Sequence, residues 1–501
     1  MRHSVLFLIC IVLQPAHAGE RPNFILFIAD DVSWNDWGCY GNPAARTPNI
    51  DALAADGMRC SNFYLTASSC SPSRCSIITG RYPHNNGEAC ELHRPLPSHL
   101  TKFPQRLKEA GYFTALAGKD HMPQRSPHED DVWSLKKGGT VPGNSGGEGH
   151  WLDVVRARPK DQPFFFWFAS LDAHRDWDAD RQWDAERYGP KHRPENVVVP
   201  PFLLDDSVTR QDLASYYNEI TRFDYYVGQV IEELRRQEVL DDTVILILAD
   251  NGRCFPRAKT RLHDPGMKSP LVIHWPNGLA SNNVNCTQLI SAIDLCPTIL
   301  SLAEVAVPGS VQGISLGPVL TRNLEGGELA RRYAFSEHNW HDYQAHGRAV
   351  RTADGFLYVR NARPEMGWLG PADSISSPSH VSLREKLKEN AESLTAEQRD
   401  TFVEPRPSEE LYFTPDDPHQ IRNLIQDVRH ASTLEELRGT MNRWQDETGD
   451  SVPEDLSPDY FDRLGGYLDS ATGQRIQGER VLGTPPGADR RADWIDAAGP
   501  R

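Results

Sequence analysis

The chain has 501 residues, 39% of them hydrophobic and 24% charged, a balance that fits a folded globular protein with room for one large domain and a smaller one. Its formal charge of −16 excludes nucleic acid as a partner, because a phosphate backbone is bound by a basic surface. For the same reason an anionic substrate would have to meet a local cationic pocket, since the field of the whole molecule repels it.

Arg2 and His3 precede the apolar run Val5 to Leu13, and Ala16-His17-Ala18 offers the small-x-small site of a signal peptidase, so residues 1–18 read as a signal peptide. That run is too short to span a bilayer and no other long apolar run follows, so no transmembrane segment is expected. The nine cysteines form neither a dense disulfide framework nor a Cys-x-x-Cys zinc pattern. One or two bridges suit an exported protein, with a pairing that spacing does not reveal. Asn285-Cys286-Thr287 is a lone glycosylation sequon. A periplasmic or secreted bacterial protein is the preferred reading, and a lysosomal one the alternative.

Asn23 to Ala29 is an unbroken apolar run, as in a strand covered on both faces, and it ends in Asp30-Asp31. Thr47 as cap and Pro48 at the first position open a helix that runs to Gly57. Further on, Pro72 and Gly80 bracket a short helix over Ser73 to Thr79, with Cys70 near its positive end, where an anion meets free backbone N–H groups. Arg74, about one turn on, can fork onto oxygens that Cys70 comes to carry. A helix over Thr101 to Ala110 stops at Gly111, and the strand Tyr112 to Ala117 ends in Gly118-Lys119-Asp120-His121. The strand Pro163 to Ala169 ends in Leu171-Asp172-Ala173-His174-Arg175. A long amphipathic helix, Thr209 to Gln237, leads to the strand Thr243 to Ala249, which ends in Asp250-Asn251-Gly252.

Strands alternating with helices predict an α/β fold with a large mixed, mostly parallel sheet flanked by helices, and in such folds ligands sit beyond the carboxyl ends of the strands. Short strands at Tyr333 to His338, Arg348 to Thr352, Phe356 to Arg360 and Glu410 to Phe413, with a helix over Thr433 to Trp444, predict a small α+β subdomain with an antiparallel sheet. Pro364 to Pro407 reads as charged, irregular surface. The expected division is a catalytic domain over 19–345, a C-terminal subdomain over 346–450 and a wrapping or partly disordered tail over 451–501.

Asp30, Asp31, Asp250 and Asn251 offer hard oxygen ligands without sulfur or imidazole, which suits calcium, with magnesium second. Lys119, His121, His174 and Lys259 are the candidates for a cationic pocket. Glu337-His338-Asn339-Trp340-His341-Asp342 is rich in groups that can read a sugar, and His338 and His341 are expected to line a sugar pocket.

Cys70-Ser71-Pro72-Ser73-Arg74 followed by Thr79-Gly80-Arg81 resembles the signature of the type I sulfatases, Cys-x-Pro-Ser-Arg with a downstream Thr-Gly-Arg. The resemblance implies the alkaline-phosphatase/sulfatase-like fold and a cysteine oxidised to formylglycine by a formylglycine-generating enzyme. It implies that Asp30, Asp31, Asp250 and Asn251 bind one calcium ion together with the oxygen at position 70, and that Arg74, Lys119, His121, His174 and Lys259 act on the sulfate. In that family one hydroxyl of the hydrated aldehyde attacks sulfur and the other then expels sulfate; the leaving group needs a proton, for which His174 is the first candidate here and His121 the second.

Ser68 to Arg74, His84 with Asn86-Gly87, Asp172 to Arg175, Phe255-Pro256, and Leu411-Tyr412 with Asp417-Pro418-His419 are similar to the sulfamidase branch, which cleaves N-sulfoglucosamine in heparan sulfate or heparin. Lys259 stands where that branch is expected to carry an arginine, and Ala173 replaces its usual proline. An exo-acting O-sulfatase of another sulfated polysaccharide is the alternative, and a catalytically silent sulfate-binding protein the second. A homodimer is compatible with this sequence.

Overall fold

The computed structural model describes residues 21–124, 131–322, 331–452 and 492–501. The expected signal peptide and most of the expected tail lie outside these described residues. Eight strands form the main sheet: β1 (Asn23–Ala29), β2 (Met58–Tyr64), β3 (Phe113–Gly118), β4 (Leu135–Gly138), β5 (Phe164–Ala169), β6 (Thr243–Ala249), β7 (Leu271–His274) and β8 (Val284–Ser291). Their order is β4-β3-β5-β1-β6-β7-β2-β8, and only β7 runs against its neighbours, so the sheet is mixed and mostly parallel.

The apolar runs behave as their composition requires. Phe24, Leu26 and Ile28 face one layer of helices while Ile25, Phe27 and Ala29 face the other, all essentially without solvent contact. At about 2 kcal/mol for each large apolar side chain removed from water, such a strand is secured from both sides. The long helix Ser207–Arg236 covers one face through Tyr216, Ile220, Phe223 and Val227.

Helix α1 (Pro48–Ala55) starts at the expected proline, but its cap differs from expectation. Thr47 makes no side-chain cap; its hydroxyl donates to Asp51 at 2.9 Å and accepts from the Gly38 amide. The free amides of Asn49 and Ile50 donate instead to the Asp224 carboxylate of the long helix, at 3.2 and 2.8 Å, so capping and tertiary packing are one interaction. Helix α2 (Cys70–Thr79) begins three residues before the expected start, with Cys70 itself in the first turn, and ends at Gly80 with a left-handed φ of 69°.

A second, antiparallel sheet has the order β12-β11-β10-β9, from β9 (Tyr333–Trp340), β10 (Gln344–Thr352), β11 (Phe356–Asn361) and β12 (Glu409–Phe413). It starts before the boundary drawn at 345. The helix Ala431–Thr448 packs on it through Leu437, Met441 and Trp444. The stretch expected as irregular surface, 364–407, instead contains the helices Ala372–Ile375 and Pro378–Asn390, which lie against the main domain. Residues 492–501 bind behind α2: Arg81, 1% exposed, donates to the carbonyls of Asn85, Ser310, Asp493 and Ile495 and to the Asp496 carboxylate.

Candidate functional site

Four strand ends and one helix start converge beyond the carboxyl edge of the main sheet. Asp30 and Asp31 follow β1, and Asp31 takes a left-handed φ of 57°, which a short polar side chain tolerates. Gly118 closes β3 with φ 92°, at a place where a Cβ would stand 1.9 Å from the Ala169 carbonyl, so the chain reaches Lys119 through a turn that only glycine fits. Asp172, beyond β5, is gripped by the buried Arg222 of the long helix through two bonds of 2.6 Å, and its carbonyl accepts from the Asp30 amide at 2.7 Å. That fixes the loop that presents His174.

Cys70 Sγ lies 3.7 Å from Asp30 Oδ1 and 4.0 Å from Asp31 Oδ1, and its residue is only 2% exposed. Arg74 donates through Nε to Asp250 Oδ2 at 2.8 Å and through Nη1 to the Lys119 carbonyl at 3.1 Å. Lys119 pairs with Asp30, and Lys259 with Asp31 at 2.9 Å. Asp30, Cys70 and Asp250 have ligand atoms close enough to share one ion. His174 Nε2 is 4.0 Å from Asp31, and with its side chain about one-third exposed it is the most open of these groups.

The electrostatics follow from burial. Burial drives the Cys70 thiol well above its ordinary value, against the pull of Lys119 and Lys259, so the unmodified side chain is a protonated, weak nucleophile. Asp30 is held well below the usual carboxylate range: burial opposes this, but Lys119, His174, Arg74 and Lys259 outweigh it. Burial pushes Asp250 up to about 6 against Arg74, with Asp30 and Asp31 adding to the rise.

These residues fit a divalent cation. Three carboxylates and one amide present oxygen only, and Asn251 Oδ1 is a buried acceptor without a hydrogen-bond partner, since its amide nitrogen donates to Asp31 at 2.5 Å. A buried oxygen cluster with an orphan acceptor is relieved by a bound ion. Together the carboxylates of Asp30, Asp31, Asp250 and Asp373 outnumber the cations Arg74, Lys119 and Lys259 by one, and a dication reverses that sign.

The remaining expected residues are placed differently. His121 Nε2 is 2.7 Å from His93 Nδ1; burial, then Lys119, His93 and Arg74, hold it well below its ordinary value, so it is neutral. His341 sits beside Cys70, its Nδ1 2.8 Å from Ser69 Oγ, and is 5% exposed. His338, 2% exposed, packs between Tyr343 and Trp368 in the interior of the second sheet's inner face.

Asp373 is the residue that sequence reading missed. Its Oδ2 lies 2.9 Å from Lys259 Nζ and 3.5 Å from His174 Nε2. The Asp342 carboxylate accepts from the Ala372 amide at 2.8 Å and so holds the short helix that carries Asp373, while Tyr343 hydrogen-bonds Thr260 at 2.7 Å and steadies the Lys259 loop. Hence the polar run at 337–342 contributes to the site chiefly as support.

The chain matches the family model described as Sulfatase over residues 22–133 and 149–305, and a second described as N-sulphoglucosamine sulphohydrolase, C-terminal, over 257–361. Human N-sulphoglucosamine sulphohydrolase is 31% identical over 472 residues, 88% of this chain and 93% of that protein. An ulvan-active sulfatase of Formosa agariphila is 29% identical over 488 residues, 87% of this chain and 77% of that protein. A solved structure titled as a complex with its substrate D-glucosamine-2-N,6-O-disulfate has a TM-score of 0.63 at 18% identity, covering 85% of this chain and 98% of that one, which is a likeness of fold.

Proposed function

The chain belongs to the sulfatase family, and from that premise we propose that this sulfuric ester hydrolase, which acts on sulfated glycans, takes the N-sulfate of glucosamine in heparan sulfate or heparin. The observation that carries the choice is the match of 257–361 to the C-terminal model of N-sulphoglucosamine sulphohydrolases, over the stretch that contains Lys259, His338 and His341. The near full-length likeness to the human N-sulphoglucosamine sulphohydrolase supports it.

In this reading Cys70 is oxidised to formylglycine, which supplies a geminal diol: one hydroxyl for attack on sulfur, the other for release of sulfate. Asp30, Asp31, Asp250 and Asn251 would hold one calcium ion, which supplies Lewis-acid charge for the sulfuryl oxygens. Arg74, Lys119 and Lys259, paired with Asp250, Asp30 and Asp31 around Cys70, stabilise charge that grows on those oxygens. His174, open to solvent and backed by Asp373, hands a proton to the departing nitrogen. His121, neutral and bonded to His93, orients rather than protonates. His341 positions the start of α2 through Ser69.

The likeness to an ulvan-active sulfatase supports a second reading, an O-sulfatase of another sulfated polysaccharide. Sulfate release from N-sulfoglucosamine, measured beside 6-O-sulfated glucosamine and ulvan oligosaccharides, separates the two. A preference for the N-sulfate of at least about a hundredfold in kcat/KM is expected. Equal or faster release from an O-sulfate would transfer the assignment to the second reading.

A further inference from the structure

Cys60 and Cys286 stand opposite each other across the parallel pair β2·β8, in register with Arg59 opposite Asn285 and Met58 opposite Val284. Partners in register project to the same face of a sheet, and both side chains belong to the same apolar cluster, with residue exposures of 1% and 6%. Neighbouring strands lie about 4.8 Å apart, inside the Cα separation of about 4.4 to 6.8 Å that a disulfide spans. The register slips directly after Cys60, between it and Asn62, so the backbone beside the pair is released from regular pairing and can adjust. The neighbouring Cys60 thiol lowers Cys286 to about 7, which makes Cys286 the readier of the two to attack a disulfide.

We propose that Cys60 and Cys286 form a disulfide that staples the edge strand β8 to β2, the strand that leads into the loop before Cys70. The co-reactant is a small disulfide such as oxidised glutathione. The Cys286 thiolate attacks one of its sulfurs, breaking that S–S bond and releasing one glutathione thiolate. The Cys60 thiolate then attacks Cys286 Sγ in the mixed disulfide and releases the second. Two electrons pass from the cysteine pair to the donor, and the two thiol protons end on the two glutathiones. The staple has a mechanical role: β8 has a single strand neighbour, so its attachment otherwise rests on one ladder and its packing.

The test uses the full chain, purified without reductant and equilibrated with oxidised glutathione, then alkylated and digested under non-reducing conditions. Chymotryptic cuts after Phe63 or Tyr64 and after Leu289 part Cys60 from Cys70 and Cys286 from Cys296. A linked peptide pair containing Cys60 and Cys286, lost on reduction, is the expected result. Reduction should also lower the Tm of the native chain by about 2 to 5 °C, and leave that of a Cys60→Ser/Cys286→Ser double variant unchanged. Separate alkylation of both cysteines, a stable glutathione adduct on either, or linkage of either to Cys39 would overturn the proposal.

Discussion

At Cys70 the side chain is buried among Asp30, Asp31, Lys119 and Lys259, so its removal takes away little volume and all of the chemistry assigned to it. Cys70→Ala is expected to abolish sulfate release while costing about 1 kcal/mol of stability, read from denaturant midpoints. Appreciable residual turnover would put the nucleophile elsewhere. Asp373→Asn keeps the shape but removes the charge that holds Lys259 and His174 together, and kcat/KM should fall by about ten- to a hundredfold on the preferred substrate.

Asp250 carries a pH dependence whose sign follows from its raised pKa. In the metal-free native chain it keeps a proton up to about 6, whereas the unfolded value is near 3.8. The native state therefore binds more protons in between, so this contribution to stability is present below about pH 4 and lost as pH rises through 6. A dication binds the ionised form, so its affinity should climb about tenfold per pH unit up to about 6 and level off above. Calorimetric calcium titrations of chelator-treated protein between pH 5 and 7.5 measure that slope; a flat profile would remove Asp250 from the ligand set.

Among the elements, the end of β3 is the most constrained. A side chain at Gly118 has to overlap the Ala169 carbonyl of β5 or push the strands apart, and φ 92° is unfavourable for it in any case. Gly118→Ala should cost about 3 kcal/mol or more and lower activity with it, because Lys119 loses its placement. Circular dichroism melting and sulfate release are expected to fall together.

The elements also show where sequence reading works. β1, β5 and β6 are covered on both faces, so a plain apolar run marks each one, and their polar ends follow within a residue or two. β2 reads Met-Arg-Cys-Ser-Asn-Phe-Tyr, and β7 is four residues long, so neither has a run or a period that separates it from a loop. Asp373 lies in a charged stretch that composition assigns to the surface. What draws it inward is Lys259 and the Asp342 carboxylate on its helix, partners 114 and about 30 residues away that no local pattern announces. The misplaced cap at α1 has the same origin: Thr47 has the right type and position, but a buried carboxylate from the long helix takes the amides first.

For the whole molecule, the site is shared between the two sheets. The main sheet supplies Asp30, Lys119, His174 and Asp250 from its strand ends, and the region of the second sheet supplies Asp373 and the supports His341, Asp342 and Tyr343. Residues 492–501 close the rear of α2 on Arg81, whose guanidinium is satisfied almost wholly by carbonyls. Arg81→Ala strands those acceptors and should lower stability by about 3 kcal/mol, with activity following only as the fold is lost. A normal melting temperature in that variant would show the segment to be dispensable.

The enclosure of Cys70 sets an order of events. At 2% exposure in the first turn of α2, its sulfur cannot be reached by a second protein once the chain has folded. If Cys70 is oxidised as proposed, an enzyme would have to meet 68–80 before the chain closes around it, and residues 492–501, which complete that closure, lie more than 400 positions later in the chain. Under the proposed maturation, folding speed and degree of conversion would compete, and slower closure around Arg81 would raise the converted fraction.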